Sequence, residues 1–165
     1  MRSVRPATRQ VWCGVWRAMP VVVACLVSAC GAPKPPPPTE LTGAITASAD
    51  INPSVSAKPS PLLVRVYELK ATTAFNKADF ISLYQRDQAE LGADLVAREE
   101  VILNPGDSRP INKVAAPETR YVGVFAAYRD IDHAQWRGVL ALLPGQKQRI
   151  AIIAQHLAIT AVMVK

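Results

Sequence analysis

The chain has 165 residues, 50% of them hydrophobic and only 6% aromatic, with 19 basic and 13 acidic residues giving a formal charge of +6. Four of the basic residues, Arg2, Arg5, Arg9 and Arg17, fall near the N-terminus, so the rest of the chain carries 15 against 13 and a net charge near +2. A charge that small and that scattered argues against a nucleic-acid partner held through phosphates. The three cysteines, Cys13, Cys25 and Cys30, leave no disulfide framework for anything beyond residue 30.

The N-terminal arginines, with no acid among them, precede an apolar stretch over 18–29 that is broken only by Pro20 and Ser28. A bilayer span needs about 20 apolar residues. The stretch therefore reads as a secretory signal, with a plain membrane anchor or an ordinary cleaved signal as the alternatives. Its end, Leu26-Val27-Ser28-Ala29-Cys30, resembles the lipobox of bacterial lipoproteins. That resemblance implies cleavage between Ala29 and Cys30, a diacylglycerol on the Cys30 thiol and a third acyl chain on the new amino group, with no other cofactor. Gly31 stands where an Asp would resemble an inner-membrane retention signal, which fits sorting to the outer membrane. Residues 1–29, absent from the mature protein, are expected not to pack on the domain through Trp12, Trp16 or Leu26. Residues 30–40 form a Pro-rich linker. In polyproline II, at about 3.1 Å per residue, it would hold the domain up to roughly 30 Å from the bilayer. Residues 41–165 suffice for one domain with a full core.

Within that domain, residues 41–51 alternate apolar and polar and predict a half-buried strand. Residues 52–61, with three prolines and three serines, predict a loop. A second, more buried strand covers 62–69. Phe80, Leu83, Tyr84, Asp87 and Leu91 follow helical spacing, which predicts a helix over 77–91. Asn76 is its candidate cap, Asp79 an acid in its first turn and Gly92 its stop. Strands resume at 96–103, closed by the turn Asn104-Pro105-Gly106-Asp107. A weak strand broken by Pro110 covers 109–114, and a strong one covers 120–129. After a turn at 130–134, a strand at 135–143 ends at Pro144-Gly145, and the tail divides into 148–154 and 157–164. The fold class expected is mainly β: a two-sheet antiparallel β-sandwich of seven or eight strands with one inserted helix. A barrel is the alternative.

Chemistry-bearing clusters are few. Asp130, Asp132 and His133 share a turn, where such residues serve as turn formers more often than as metal ligands. There is no Gly-x-Ser-x-Gly, and no serine is obviously paired with a histidine. Glu99 and Glu100, adjacent on a strand, point to opposite faces and form no carboxylate pair. No catalytic residue and no metal ligand is assigned, and the chain is not read as an enzyme. Trp136 reads as a core aromatic before a binding platform. The candidate site is the loop Asn52-Pro53-Ser54-Val55-Ser56-Ala57-Lys58-Pro59-Ser60. It is longer than a usual hairpin connection, and its prolines lower the entropy cost of binding. A plain linker is the other reading.

Taken in order, these pieces resemble the TssJ family, the outer-membrane lipoproteins of the type VI secretion system. The match rests on the lipobox and spacer, on Ala49-Asp50-Ile51-Asn52-Pro53, and on Ser60-Pro61 entering Val64-Arg65-Val66-Tyr67-Glu68-Leu69. It continues through Ala78-Asp79-Phe80, Leu83-Tyr84, Leu91-Gly92 and Asn104-Pro105-Gly106 to the strand at 121–130. The resemblance implies a transthyretin-like sandwich and a structural role. The lipid holds the protein at the periplasmic face of the outer membrane, and the domain docks the C-terminal periplasmic part of TssM within a complex that also contains TssL. It also implies that residues 52–60 contact TssM. A different periplasmic lipoprotein, pilotin-like or a small-ligand binder, is the competing reading.

Mass spectrometry of membrane-extracted protein is expected to find an acylated N-terminus at Cys30. Cys30→Ser should remove the domain from the outer-membrane fraction without altering its fold. Retention of that variant in the fraction would defeat the lipoprotein assignment.

Overall fold

A computed structural model describes residues 37–165. The signal with Trp12, Trp16 and Leu26, the cleavage position, Cys30 and the linker up to residue 36 lie outside the described residues. Eight strands follow in order: β1 (Thr39–Ala47), β2 (Leu62–Leu69), β3 (Leu95–Leu103), β4 (Ser108–Ala115), β5 (Tyr121–Ala126), β6 (Arg137–Ala141), β7 (Lys147–Gln155) and β8 (Ala158–Val164). Helices α1 (Thr73–Lys77) and α2 (Phe80–Leu91) and a 3-10 turn at Gly92–Asp94 lie between β2 and β3. Thr39 and Glu40, assigned above to the linker, already belong to β1. Among the described residues no helix is long and apolar enough to cross a membrane.

The strands form two four-stranded sheets, β4-β1-β7-β8 and β3-β2-β5-β6. Every hydrogen-bonded pair is antiparallel except one: β1 and β7 run parallel. Gly43 makes that approach possible. Its φ is +139°, and a Cβ there would overlap the Ile150 carbonyl oxygen.

Alternation along each strand builds the core. Leu41 and Ile45 of β1 and Ile150 and Ile152 of β7 meet Leu62 and Val64 of β2 and Val122 and Val124 of β5 between the sheets. The outer face of the second sheet is buried as well. There Tyr67, Leu69 and Phe125 pack on Phe75, Leu83 and Leu91 of the helical insert. The domain therefore has three layers and two cores. Phe75 is fully buried, which contributes about 1.5–3 kcal/mol. Gly123 forms its seat: a Cβ would stand 2.9 Å from Leu69 Cδ1 and 3.3 Å from Phe75 Cζ.

The insert is two helices where one was expected. Ala78 is extended, and the cap of α2 is Asp79, not Asn76. The Asp79 carboxylate accepts from the Ser82 N–H at 2.9 Å and the Ser82 hydroxyl at 2.8 Å, bonds that hold its pKa below the ordinary carboxylate range. Asp is among the strongest N-cap formers. The break lets Phe75 enter the outer core while Phe80 packs at a tilt on Phe125 and edge-on to Trp136, with centroids 5.1 and 5.4 Å away. Trp136 is thus a partly buried packing aromatic. Elsewhere β1 ends at Ala47, earlier than the alternation suggested, because the chain turns to bury Ile51. Pro110 does not weaken β4, since β4 is an edge strand and needs hydrogen bonds on one side only. Glu99 and Glu100 do diverge: Glu100 pairs with Arg65 at 2.7 Å and Glu99 lies 3.7 Å from Lys113.

An ionic cluster fastens α2 to β2. Arg65 reaches the Leu83 and Tyr84 carbonyls at 2.9 Å each, and Asp87 at 3.3 Å. Asp87 also accepts from Tyr67 at 2.9 Å and from Arg98 at 2.9 Å. Burial, and then the Asp87 carboxylate, push the Tyr67 hydroxyl above its ordinary range. Among the described residues no buried side-chain polar atom lacks a partner.

Removing Asp87 would take the buried anion from the Tyr67 hydroxyl and from two guanidinium groups, leaving Arg65 and Arg98 only the more exposed Glu100. Asp87→Ala is expected to lower unfolding free energy in urea by about 3–5 kcal/mol. A loss below about 1 kcal/mol would show that water already screens the cluster.

Candidate partner-binding site

Four connections gather at one end of the sandwich: β1–β2, β3–β4, β5–β6 and β7–β8. The nine-residue candidate loop is the first of them. Asn52 organises it. The backbone at Asn52 has φ +47°, a left-handed conformation that Asn tolerates better than most residues. Its N–H donates to the His156 carbonyl at 3.0 Å. Its side-chain amide donates to the Pro61 carbonyl at 2.7 Å, and its side-chain oxygen accepts from the Arg129 N–H at 2.9 Å. One residue thus ties β1–β2 to β5–β6 and β7–β8.

The loop 52–60 does not stand clear of the core along its whole length. Asn52 and Ser60 are 2% and 8% exposed. They are buried because the Ser60 N–H closes on the Ile51 carbonyl at 3.1 Å, which pinches the loop shut at its base. The tip is built differently. The Ser54 N–H donates to the Lys58 carbonyl and the Ala57 N–H to the Ser54 carbonyl, both at 2.8 Å. The Ser54 hydroxyl accepts from the Lys58 N–H at 3.2 Å. Ala57 takes φ +57° to complete this turn. Pro53 and Ser54 are half-buried, while Val55, Ser56, Ala57, Lys58 and Pro59 are exposed. Val55 makes essentially no contact with its own domain, at 109% exposure.

A shallow depression lies beside the tip, lined by Pro53, Ser54, Val55 and Ala57 together with Arg129, Asp130, His156 and Leu157. The last four were not singled out from sequence as belonging with the loop; nothing local connects them to it. Hydrogen bonding by the Ser48 hydroxyl holds the Asp50 carboxyl below the ordinary range, and His156 Nδ1 lies 3.3 Å from the same group. His133 Nδ1 sits 2.8 Å from Asp130, which raises the His133 pKa and lowers that of Asp130. Asp132 does not complete a triad, and among the described residues no group of three or more His, Cys, Asp or Glu is placed to hold a metal.

The arrangement defines a small β-sandwich with a helical layer on one sheet and a rigid, apolar-tipped loop at one end. Residues 39–157 match the family model T6SS-SciN, described as type VI secretion lipoprotein (VasD, EvfM, TssJ). The chain belongs to this family of type VI secretion lipoproteins, a structural and not an enzyme family. It is similar to the lipoprotein TssJ1 from Pseudomonas aeruginosa, at 39% identity and TM-score 0.75, over 78% of this chain and 98% of that one. A chain of the structure described as the T6SS protein TssM C-terminal domain from EAEC is 29% identical, with TM-score 0.61, over 75% of this chain and 99% of that one. A chain of a type VI membrane complex is 28% identical, with TM-score 0.64, over 77% of this chain and 98% of that one. No curated protein matches. The solved TssJ1 chain, matched over 98% of its length, spans little beyond the matched sandwich.

Asn52→Ala would orphan the Pro61 carbonyl and the Arg129 N–H and place alanine in a left-handed conformation. It is expected to cost about 1–3 kcal/mol in urea unfolding. Val55→Ser should stay within about 0.5 kcal/mol of the parent. Equal effects of the two would contradict the division of the loop into clamp and tip.

Proposed function

We propose that this chain is the outer-membrane anchor of a type VI secretion membrane complex. Residues 1–29 are removed, Cys30 carries the lipid, and residues 30–40 bring the sandwich out from the bilayer into the periplasm. Residues 52–60 then dock the C-terminal periplasmic domain of TssM, in an assembly that also contains TssL. The observation that carries this reading is the loop tip: Val55 stands fully exposed on a turn that its own hydrogen bonds already order. A preordered apolar tip loses little entropy on binding, and its exposure has no explanation within the domain. The likeness to chains in a membrane complex and in a TssM structure supports the choice of partner.

The domain works without catalysis, by transmitting load. A single acyl chain binds membranes marginally, at about 0.8 kcal/mol per buried CH₂, and stable anchoring takes two such signals. A triacylated Cys30 exceeds that. Asn52 and Ser60 act as the loop's foundation, and the contact itself falls on the tip and its neighbours Arg129 and Leu157. Lys58 is the only charge in the loop, so shape and backbone hydrogen bonds outweigh charge in the contact.

Calorimetry of the domain, residues 37–165, against the periplasmic C-terminal domain of TssM tests this. Deletion of residues 54–58, or Val55→Asp, is expected to weaken binding about tenfold or more. Lys58→Ala should act mainly on the association rate. If the deletion variant melts like the parent and binds with unchanged affinity, the contact lies elsewhere.

A further inference from the structure

The end of the sandwich opposite the candidate loop is where the chain enters β1. Pro37 rests there on the β6–β7 connection, residues 142–146: a Cβ on Gly145 would stand 3.1 Å from Pro37 Cγ. Hydrogen bonds brace this connection. The buried Gln148 amide donates to the Leu143 carbonyl at 2.8 Å and accepts from the Leu143 N–H at 2.9 Å. The Thr39 hydroxyl accepts from the Gly145 N–H at 2.8 Å, and the Gln146 carbonyl accepts from the Glu40 N–H at 3.1 Å. Leu142 is thereby turned inward, at 6% exposure, and Leu143 outward, at 54%. Pro144 follows it at the surface.

The end of β8 extends this exposed surface. Its pairing with β7 puts Val164 beside Arg149 and Met163 beside Ile150. Of the ten exposed large hydrophobic residues among those described, four, Leu143, Val162, Met163 and Val164, lie at this corner, so they form a patch and are not scattered singly. The cations beside them are Lys147 and Arg149. Lys147 holds Glu40 at 2.9 Å, whereas Arg149 is exposed and forms no ion pair among the described residues. The other acids of this end, Asp94 and Glu118, lie away from the corner, before β3 and after β4.

We propose that this corner is a second membrane contact, in which Leu143, Met163 and Val164 enter the interfacial layer of the bilayer that holds the Cys30 lipid, while Arg149 and Lys147 meet phospholipid phosphates. The proposal rests on the anchor reading of Cys30 and is separate from TssM docking, whose loop is at the opposite end. The occupant follows from where the chain enters the domain. Nine residues, 30–38, join Cys30 to β1, and at about 3.1 Å each they keep the corner within roughly 30 Å of the bilayer. A surface on so short a tether is met at an effective concentration in the millimolar range, so even a weak contact is populated. Interfacial binding grows with apolar area and with the attraction of cations to anionic headgroups. A guanidinium fork matches a phosphate. The contact orients the domain: with this end on the bilayer, the β1–β2 loop points away from it.

The test places the mature, acylated protein in nanodiscs of phosphatidylcholine and phosphatidylglycerol, two parts to one, doped with a gadolinium-headgroup lipid. Methyl NMR reads the relaxation enhancement. Val114, exposed at the same end but on edge strand β4, controls for the tether alone. Leu143, Met163 and Val164 are expected to relax several-fold more than Val114, and Val55 least. Leu143→Asp or Arg149→Glu should bring Val164 down to the level of Val114 while leaving flotation with vesicles of the same lipids, and the melting temperature, in place. A parent that floats but shows Val164 and Val114 alike overturns the contact and leaves the anchor standing, as do two variants that both keep the parent's pattern. A parent that does not float brings down the anchor reading and the proposal with it. Dimerisation of residues 37–165 through this corner in lipid-free solution would make a second copy the occupant and overturn the proposal.

Discussion

Asn52, through its side-chain amide and its backbone N–H, holds three connections of the loop end together, and the geometry of the candidate site depends on it. Its donor meets the Pro61 carbonyl, so the two ends of the β1–β2 loop close on each other. Its acceptor meets the Arg129 N–H, which draws the β5–β6 connection alongside. The backbone N–H of the same residue brings in His156 from the β7–β8 turn. No aliphatic residue could do this, because the position needs a donor, an acceptor and a left-handed backbone at once. With the base fixed, the turn at 54–58 projects as a small rigid unit, and the exposure of Val55 becomes a defined feature of the surface.

That end is rigid because the second sheet is held from both sides. β2 carries Val64 into the inner core and Tyr67 and Leu69 into the outer one. Arg65, between them in sequence, faces the helices and spreads its guanidinium, with Nη1 on two helix carbonyls and Asp87 and Nε on Glu100. A lysine could not reproduce that set, since a point charge lacks the planar spread of donors. Burying such a cluster is favourable only when every member is paired.

One seam of the sandwich lies between the edge strands β3 and β4. Two exposed edges invite pairing with other chains. Here Pro110 on β4 and the charges Arg98, Glu99 and Glu100 on β3 make both edges poor templates. On that side the sheets are joined through side chains, with Lys113 of β4 reaching Glu68 and Glu99, whereas the opposite seam is closed by contacts between β6 and β8.

Local features of the chain were legible without a structure. The buried strand expected over 62–69 coincides with β2, Gly92 ends α2 and Asn104-Pro105-Gly106-Asp107 forms a turn. Family membership could also be read, because lipobox, loop and strand motifs lie in linear order. The break between α1 and α2 was missed although its signal, Asp79 with Ser82 three residues on, was present; helical periodicity across 77–91 concealed it. The candidate loop could be located from sequence, but not divided into a buried base and an exposed tip. Propensity, capping and turn chemistry act over a few residues, and these the sequence by itself determined. The parallel pairing of β1 with β7, the convergence of Asn52, Arg129 and His156, and the grip of Arg65 on Asp87 were decided only by the tertiary structure. Each needs a partner 22 to more than 100 positions away, and burial and hydrogen bonding select such partners only once the sheets have closed.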